Sequence, residues 1–188
     1  MQCIQPYLSK NASAMTDALA IEGMRRGARS LYTAVLDGEN INARADMSTC
    51  SLMSGLCLAN AGLGAVHGFA GPLGGKLDHA PHGAVCAALL PASLEINYAR
   101  AQSDDLNGVI SRMQACAQVI TNHRDVQSLI DWSKEACRDL EIPGLSSYGF
   151  TDDIIDEIVQ ASKSSSSMRG NAAPLSDEEL GELLRRSA

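Results

Sequence analysis

Gly62-Leu63-Gly64-Ala65-Val66-His67-Gly68-Phe69-Ala70-Gly71-Pro72-Leu73-Gly74-Gly75-Lys76-Leu77-Asp78-His79-Ala80-Pro81-His82-Gly83 is the stretch on which the reading of this chain turns. It holds three of the chain's four histidines, and glycine recurs along its whole length. Imidazole nitrogen is a good ligand for iron, zinc and similar divalent ions, and two histidines on facing elements can close on one metal. His67 lies among helix-forming residues. His82, between Pro81 and Gly83, stands where the entrance to a following helix is expected. The two are 82 − 67 = 15 residues apart, which is no local motif. The chain between them must fold back, and its glycines make that geometrically easy. Taken alone, the pair also reads as polar loop residues or satisfied core groups, because a metal site needs three or four convergent ligands.

Outward from this stretch the pattern is helical on both sides. Upstream, Thr16-Asp17 is expected to cap a helix through Leu19, Met24, Leu31 and Val35, with Asp37-Gly38-Glu39-Asn40 as its stop and turn. A second helix should run from about Ala43 to Leu58, and its small residues Ser48, Ser51, Ser54, Gly55 and Ala59 would admit a close neighbour. Downstream, Ala84 to Leu90 resumes as an apolar helix that Pro91 kinks or restarts. Asp104-Asp105 is expected to open the next helix, followed by one from about Val126 to Leu140 and a short one capped by Thr151. Residues 162–175 read as a polar link to a final short helix that begins at Ser176-Asp177-Glu178-Glu179 with a capping box. No segment alternates with the period of a strand, so the expected fold class is all-α, a helical bundle in a single domain over residues 1–188.

Composition agrees. Apolar residues make up 45% of the chain and aromatics only 4%, so the core must be built from small and aliphatic side chains. A formal charge of −7 leaves no basic stripe, so nucleic acid and membrane surfaces are excluded as expected partners. No run approaches a bilayer-spanning length and the first residues lack the features of a secretion signal, which gives a cytoplasmic expectation. The six cysteines, at 3, 50, 57, 86, 116 and 137, never form a CxxC pair and read as buried, reduced thiols.

The string from Ala59-Asn60-Ala61-Gly62 through Val66-His67-Gly68, Pro81-His82-Gly83 and Ala88-Leu89-Leu90-Pro91 strongly resembles the signature of the iron-containing alcohol dehydrogenases. Met15-Thr16-Asp17-Ala18-Leu19, Ile142-Pro143-Gly144-Leu145 and Leu175-Ser176-Asp177-Glu178-Glu179-Leu180 resemble further segments of the same family's C-terminal helical domain. The resemblance implies a metal-dependent, NAD- or NADP-linked oxidoreductase acting on a small alcohol or aldehyde. In such enzymes an N-terminal α/β domain binds the nucleotide, and the helical domain holds a divalent metal, iron before zinc, through one aspartate and three histidines. His67 and His82 fall on the last two histidine positions, and His79 falls near the site. Gln2 takes the place of the remaining histidine, and Gly71 stands where many members carry another histidine on the substrate side.

Gly62, Gly64 and Gly68 follow no strand, so they form no dinucleotide fingerprint, and the nucleotide-binding half of the family has no counterpart among these residues. The expectation is therefore a C-terminal fragment of such an enzyme, with NAD or NADP not bound by this chain alone. The alternative is a catalytically inactive, truncated helical domain active only in metal binding or association, as a homo-oligomer or with a full-length relative.

Overall fold

The computed structural model describes all residues, Met1–Ala188, and contains helices and turns with no strand. A short α1 (Ile4–Leu8) leads into a pair of long helices, α2 (Ala14–Leu36) and α3 (Ile41–Ala61), joined by a tight turn. α4 (Ala65–Gly74) leaves α3 at 98° and is followed by α5 (His82–Ser103). α6 (Asn107–Thr121) and α7 (Val126–Asp139) come next. Two 3₁₀ turns then lead to α8 (Ile155–Lys163), a one-turn α9 (Ser166–Arg169) and α10 (Asp177–Arg186). No single helix is long and apolar enough to cross a membrane.

Local chemistry explains most boundaries. Ser13 caps α2 in a reciprocal box with Thr16, three residues before the expected start, so Thr16 is an inner partner and not the cap. Asn40 caps α3 by accepting from the amide of Ala43. Gly62, at φ +69°, ends α3 and allows the sharp exit toward α4. Asp104 and Asp105 do not open a helix. They form the turn after α5, with Asp105 at φ +54°, and α6 starts at Asn107. Ser176 and Glu179 form the capping box of α10. Residues 162–175 hold the end of α8, all of α9 and the irregular stretch before α10.

α5 runs unbroken through Pro91. A proline removes the amide that would bond the carbonyl four residues back, here Ala87. The thiol of Cys137 on α7 donates to that carbonyl at 3.3 Å, which satisfies it and ties the two helices.

A continuous core of buried residues gathers Ile4 of α1, Phe69 and Leu73 of α4, Leu89 of α5, Met113 of α6 and Leu183 of α10. α4 and α5 pack on one another inside it, with α8 and α9 against α4 and α6, α7 and α10 against α5. α2 and α3 pack mainly on each other, bound by Asp46, which accepts from Ser30 at 2.6 Å and pairs with Arg26 and Arg29. The Ser30 hydroxyl, then Arg29, hold the Asp46 carboxyl below the usual carboxylate range. The small residues expected to seat a neighbour on α3 do not all do so, since nothing lies within 4 Å of a side chain at Gly55. The close approach comes from α2, where a side-chain carbon at Gly27 would lie 3.3 Å from Cys50 Sγ of α3.

Candidate metal centre

The glycine-rich stretch is more helical than its composition suggests. Only residues 75–81 form a loop between α4 and α5, and the amide of Asp78 donates to the carbonyl of Tyr148, which holds that loop down. α4 begins without a capping side chain, because residue 64 is glycine. The missing acceptor arrives from far along the chain: Asn171 Oδ1 accepts from the amide of Ala65 at 3.0 Å. A side chain at Gly64 would stand 2.9 Å from that same oxygen, so glycine leaves the room the remote cap needs. Asn171 is fixed in turn by donating to Asn97 of α5 at 2.8 Å and to the carbonyl of Ala173 at 2.9 Å. α4, α5 and the stretch before α10 are thereby locked at the point where the first histidine emerges.

His67 is in the first turn of α4 and His82 is the first residue of α5. Their ring centroids are 5.7 Å apart, with the planes tilted by 56°. Two imidazoles fifteen residues apart in sequence are thus neighbours in space. His67 Nδ1 lies 2.5 Å from Gln5 Oε1. An amide oxygen can only accept, so the proton sits on Nδ1 and the lone pair of Nε2 is left free, the arrangement in which a histidine ligates. Burial, reinforced by the nearby His82, pushes the pKa of His67 down to about 4, which keeps the ring neutral near pH 7.

Cys86, one helical turn beyond His82, joins the cluster: its Sγ is 3.5 Å from His82 Nε2. Donor atoms of His67, His82 and Cys86 all lie within 4.8 Å of one another. Cys86 is buried, His67 half-buried and His82 exposed. Burial pushes the Cys86 thiol up to about 11. No carboxylate belongs to this cluster. Its chemistry, two imidazoles and a thiol, fits a borderline divalent ion.

The other residues singled out in the sequence fall elsewhere. His79 is exposed on the loop at φ +52° and is outside the cluster. Gln2 turns its amide oxygen toward α3 and accepts from Ser54 at 3.4 Å, so the carboxamide that reaches His67 is that of Gln5. Gly71 is exposed, with open space where a side chain would project. Gln5 and Cys86 were not singled out in the sequence. The signal for Cys86 was available in its spacing, four residues after His82, which becomes legible once α5 is known to start at His82. With no strand in the chain, the strand, turn and helix that cradle a dinucleotide are also absent.

The chain matches the Fe-containing alcohol dehydrogenase family, C-terminal part, across residues 1–188. It is 47% identical over 88 residues to a 1,3-propanediol dehydrogenase of Citrobacter freundii, covering 47% of this chain and 22% of that protein. It is 31% identical over 161 residues to long-chain-alcohol dehydrogenase 1 of Geobacillus thermodenitrificans, covering 84% of this chain and 40% of that protein. Its fold superposes on the crystal structure of a 1,3-propanediol oxidoreductase with a TM-score of 0.90 and 26% identity, over 100% of this chain and 49% of that one. It spans less than half the length of each of these relatives. The all-helical architecture, the paired histidines of α4 and α5 and the match over all 188 residues together establish that this chain belongs to the Fe-containing alcohol dehydrogenase family.

Proposed function

We propose that this chain is the metal-holding helical half of an NAD- or NADP-linked alcohol dehydrogenase acting on small alcohols or aldehydes, with His67 and His82 as metal ligands. The observation that carries this reading is the approach of the two rings to 5.7 Å from separate helices. Iron is the ion the family supplies, and zinc suits the same donors. When bound, such an ion polarises the oxygen of an alcohol or carbonyl.

The chain's own residues prepare for that role. Gln5 fixes the tautomer of His67, and the remote cap by Asn171 fixes the turn on which His67 stands. The open space at Gly71, one helical turn after His67, leaves room for a substrate on that side. The nicotinamide cofactor comes from outside this helical body, and the protein works in the cytoplasm. A second reading, self-association or pairing with a full-length relative, draws on the exposed Leu52, Leu56 and Leu58 of α3. A monomer in sedimentation at micromolar concentration would remove self-association.

The test is metal retention. Purified chain loaded anaerobically with Fe²⁺ or Zn²⁺ and desalted is expected to keep about one ion per chain. His67→Ala and His82→Ala should each weaken binding by about 10- to 100-fold. Wild-type protein that keeps no metal, or variants that keep it as well as wild type, would refute the assignment.

A further inference from the structure

The family's ligand set of aspartate and histidines gives Cys86 no role, yet the fold brings its sulfur to the same cluster. The separation of Cys86 Sγ from His82 Nε2 is 3.5 Å. In a tetrahedral site the metal–sulfur bond is about 2.3 Å and the metal–nitrogen bond about 2.0–2.1 Å, which places a sulfur and a nitrogen on one ion about 3.5 Å apart. The sulfur–nitrogen edge is therefore already at the ligating distance before any ion arrives. The other two edges are at most 4.8 Å, against about 3.3 Å expected between two ligating nitrogens and about 3.5 Å between a nitrogen and a sulfur, closures of about 1.5 Å or less that small side-chain rotations can make.

We propose that Cys86 is a third protein ligand, adding a thiolate to the two imidazoles of His67 and His82. This rests on the reading of His67 and His82 as ligands. Sγ of Cys86 and Nε2 of His82 are within hydrogen-bond reach of one another. Binding replaces that contact: the ion takes the nitrogen lone pair and a sulfur lone pair, and the thiol proton is released to solvent. Position explains why this cysteine and not another fits the role. Residues i and i+4 on a helix face the same way, and His82 and Cys86 occupy the first two turns of α5 on the side that meets His67. A thiolate makes the donor set softer than oxygen and nitrogen alone. The preferred ions are accordingly zinc(II) and its cobalt(II) substitute, over ions such as Mg²⁺ and Mn²⁺ that favour oxygen.

Cobalt(II) titrated into the metal-free chain provides the test. The expected result is a thiolate-to-cobalt charge-transfer band in the near ultraviolet that Zn²⁺ abolishes. Cys86→Ser should remove the band and weaken binding by about tenfold or more, and Cys86→Ala should do the same if serine is not tolerated at this buried position. X-ray absorption on zinc-loaded wild type needs no variant and should show one sulfur neighbour at about 2.3 Å. A zinc shell of nitrogen and oxygen only, or a cobalt band unchanged in both Cys86 variants, overturns the role of Cys86. If cobalt binding in that case still disappears in His67→Ala, the two-histidine reading stands. A wild-type chain that binds no cobalt overturns both.

Discussion

α3 and α4 are consecutive helices of similar small-residue texture, yet they live in opposite environments. α3 leaves Leu52 66% exposed and Leu56 44% exposed, and its Gly55 faces open space. α4 buries Val66, Phe69 and Leu73 completely, and a side chain at its Gly68 would press within 2.9 Å of Met168 Cε and 3.2 Å of Met168 Cβ. The difference shows where the fold tolerates change. Glycine in α3 is a conformational liability, whereas in α4 it is what lets α9 close over the histidine-bearing helix.

Large-to-small substitution gives the sharpest contrast. Phe69→Ala is expected to destabilise the chain by about 3–5 kcal/mol through lost burial and a residual cavity, and Leu56→Ala by about 0.5 kcal/mol or less. Urea unfolding followed by circular dichroism checks both, and equal losses would erase the distinction between the helices. Glycine replacement should then differ in sign. Gly55→Ala is expected to stabilise by about 0.5–1 kcal/mol, because alanine is the better helix former and meets nothing. Gly68→Ala should destabilise, since displacing Met168 and α9 costs about 1–3 kcal/mol against a helix gain of about 1 kcal/mol. Stabilisation by both would show that α9 yields freely.

The smallest effect concerns what binds α3 to α2. The Asp46 carboxyl is held below its ordinary range, so its contribution is present at neutral pH and is lost as pH falls through the lowered folded-state value. Asp46→Asn should lower the melting temperature slightly at pH 7, and the gap to wild type should close as the pH drops below about 4. A gap that stays constant with pH would assign the loss to packing.

The sequence disclosed the helical class and the histidine pair, because apolar spacing and a dense motif are local signals. It concealed how far α4 runs, since glycine and proline at that density ordinarily mark loops. Here the tight contacts of Gly64 and Gly68 with Asn171 and Met168 explain the glycines, and those partners lie about a hundred residues away. Gln5 and Cys86 were hidden for a related reason. A lone carboxamide or thiol acquires meaning only when the elements around it are assembled. Asp104-Asp105 misled because acidic residues suit both a helix start and the turn that precedes one.

The reach of Asn171 to the amide of Ala65 also sets an order of events during biosynthesis. Ribosomes deliver His67 and His82 long before residue 171, so the first turn of α4 awaits its cap until the segment around Asn171 has emerged and docked.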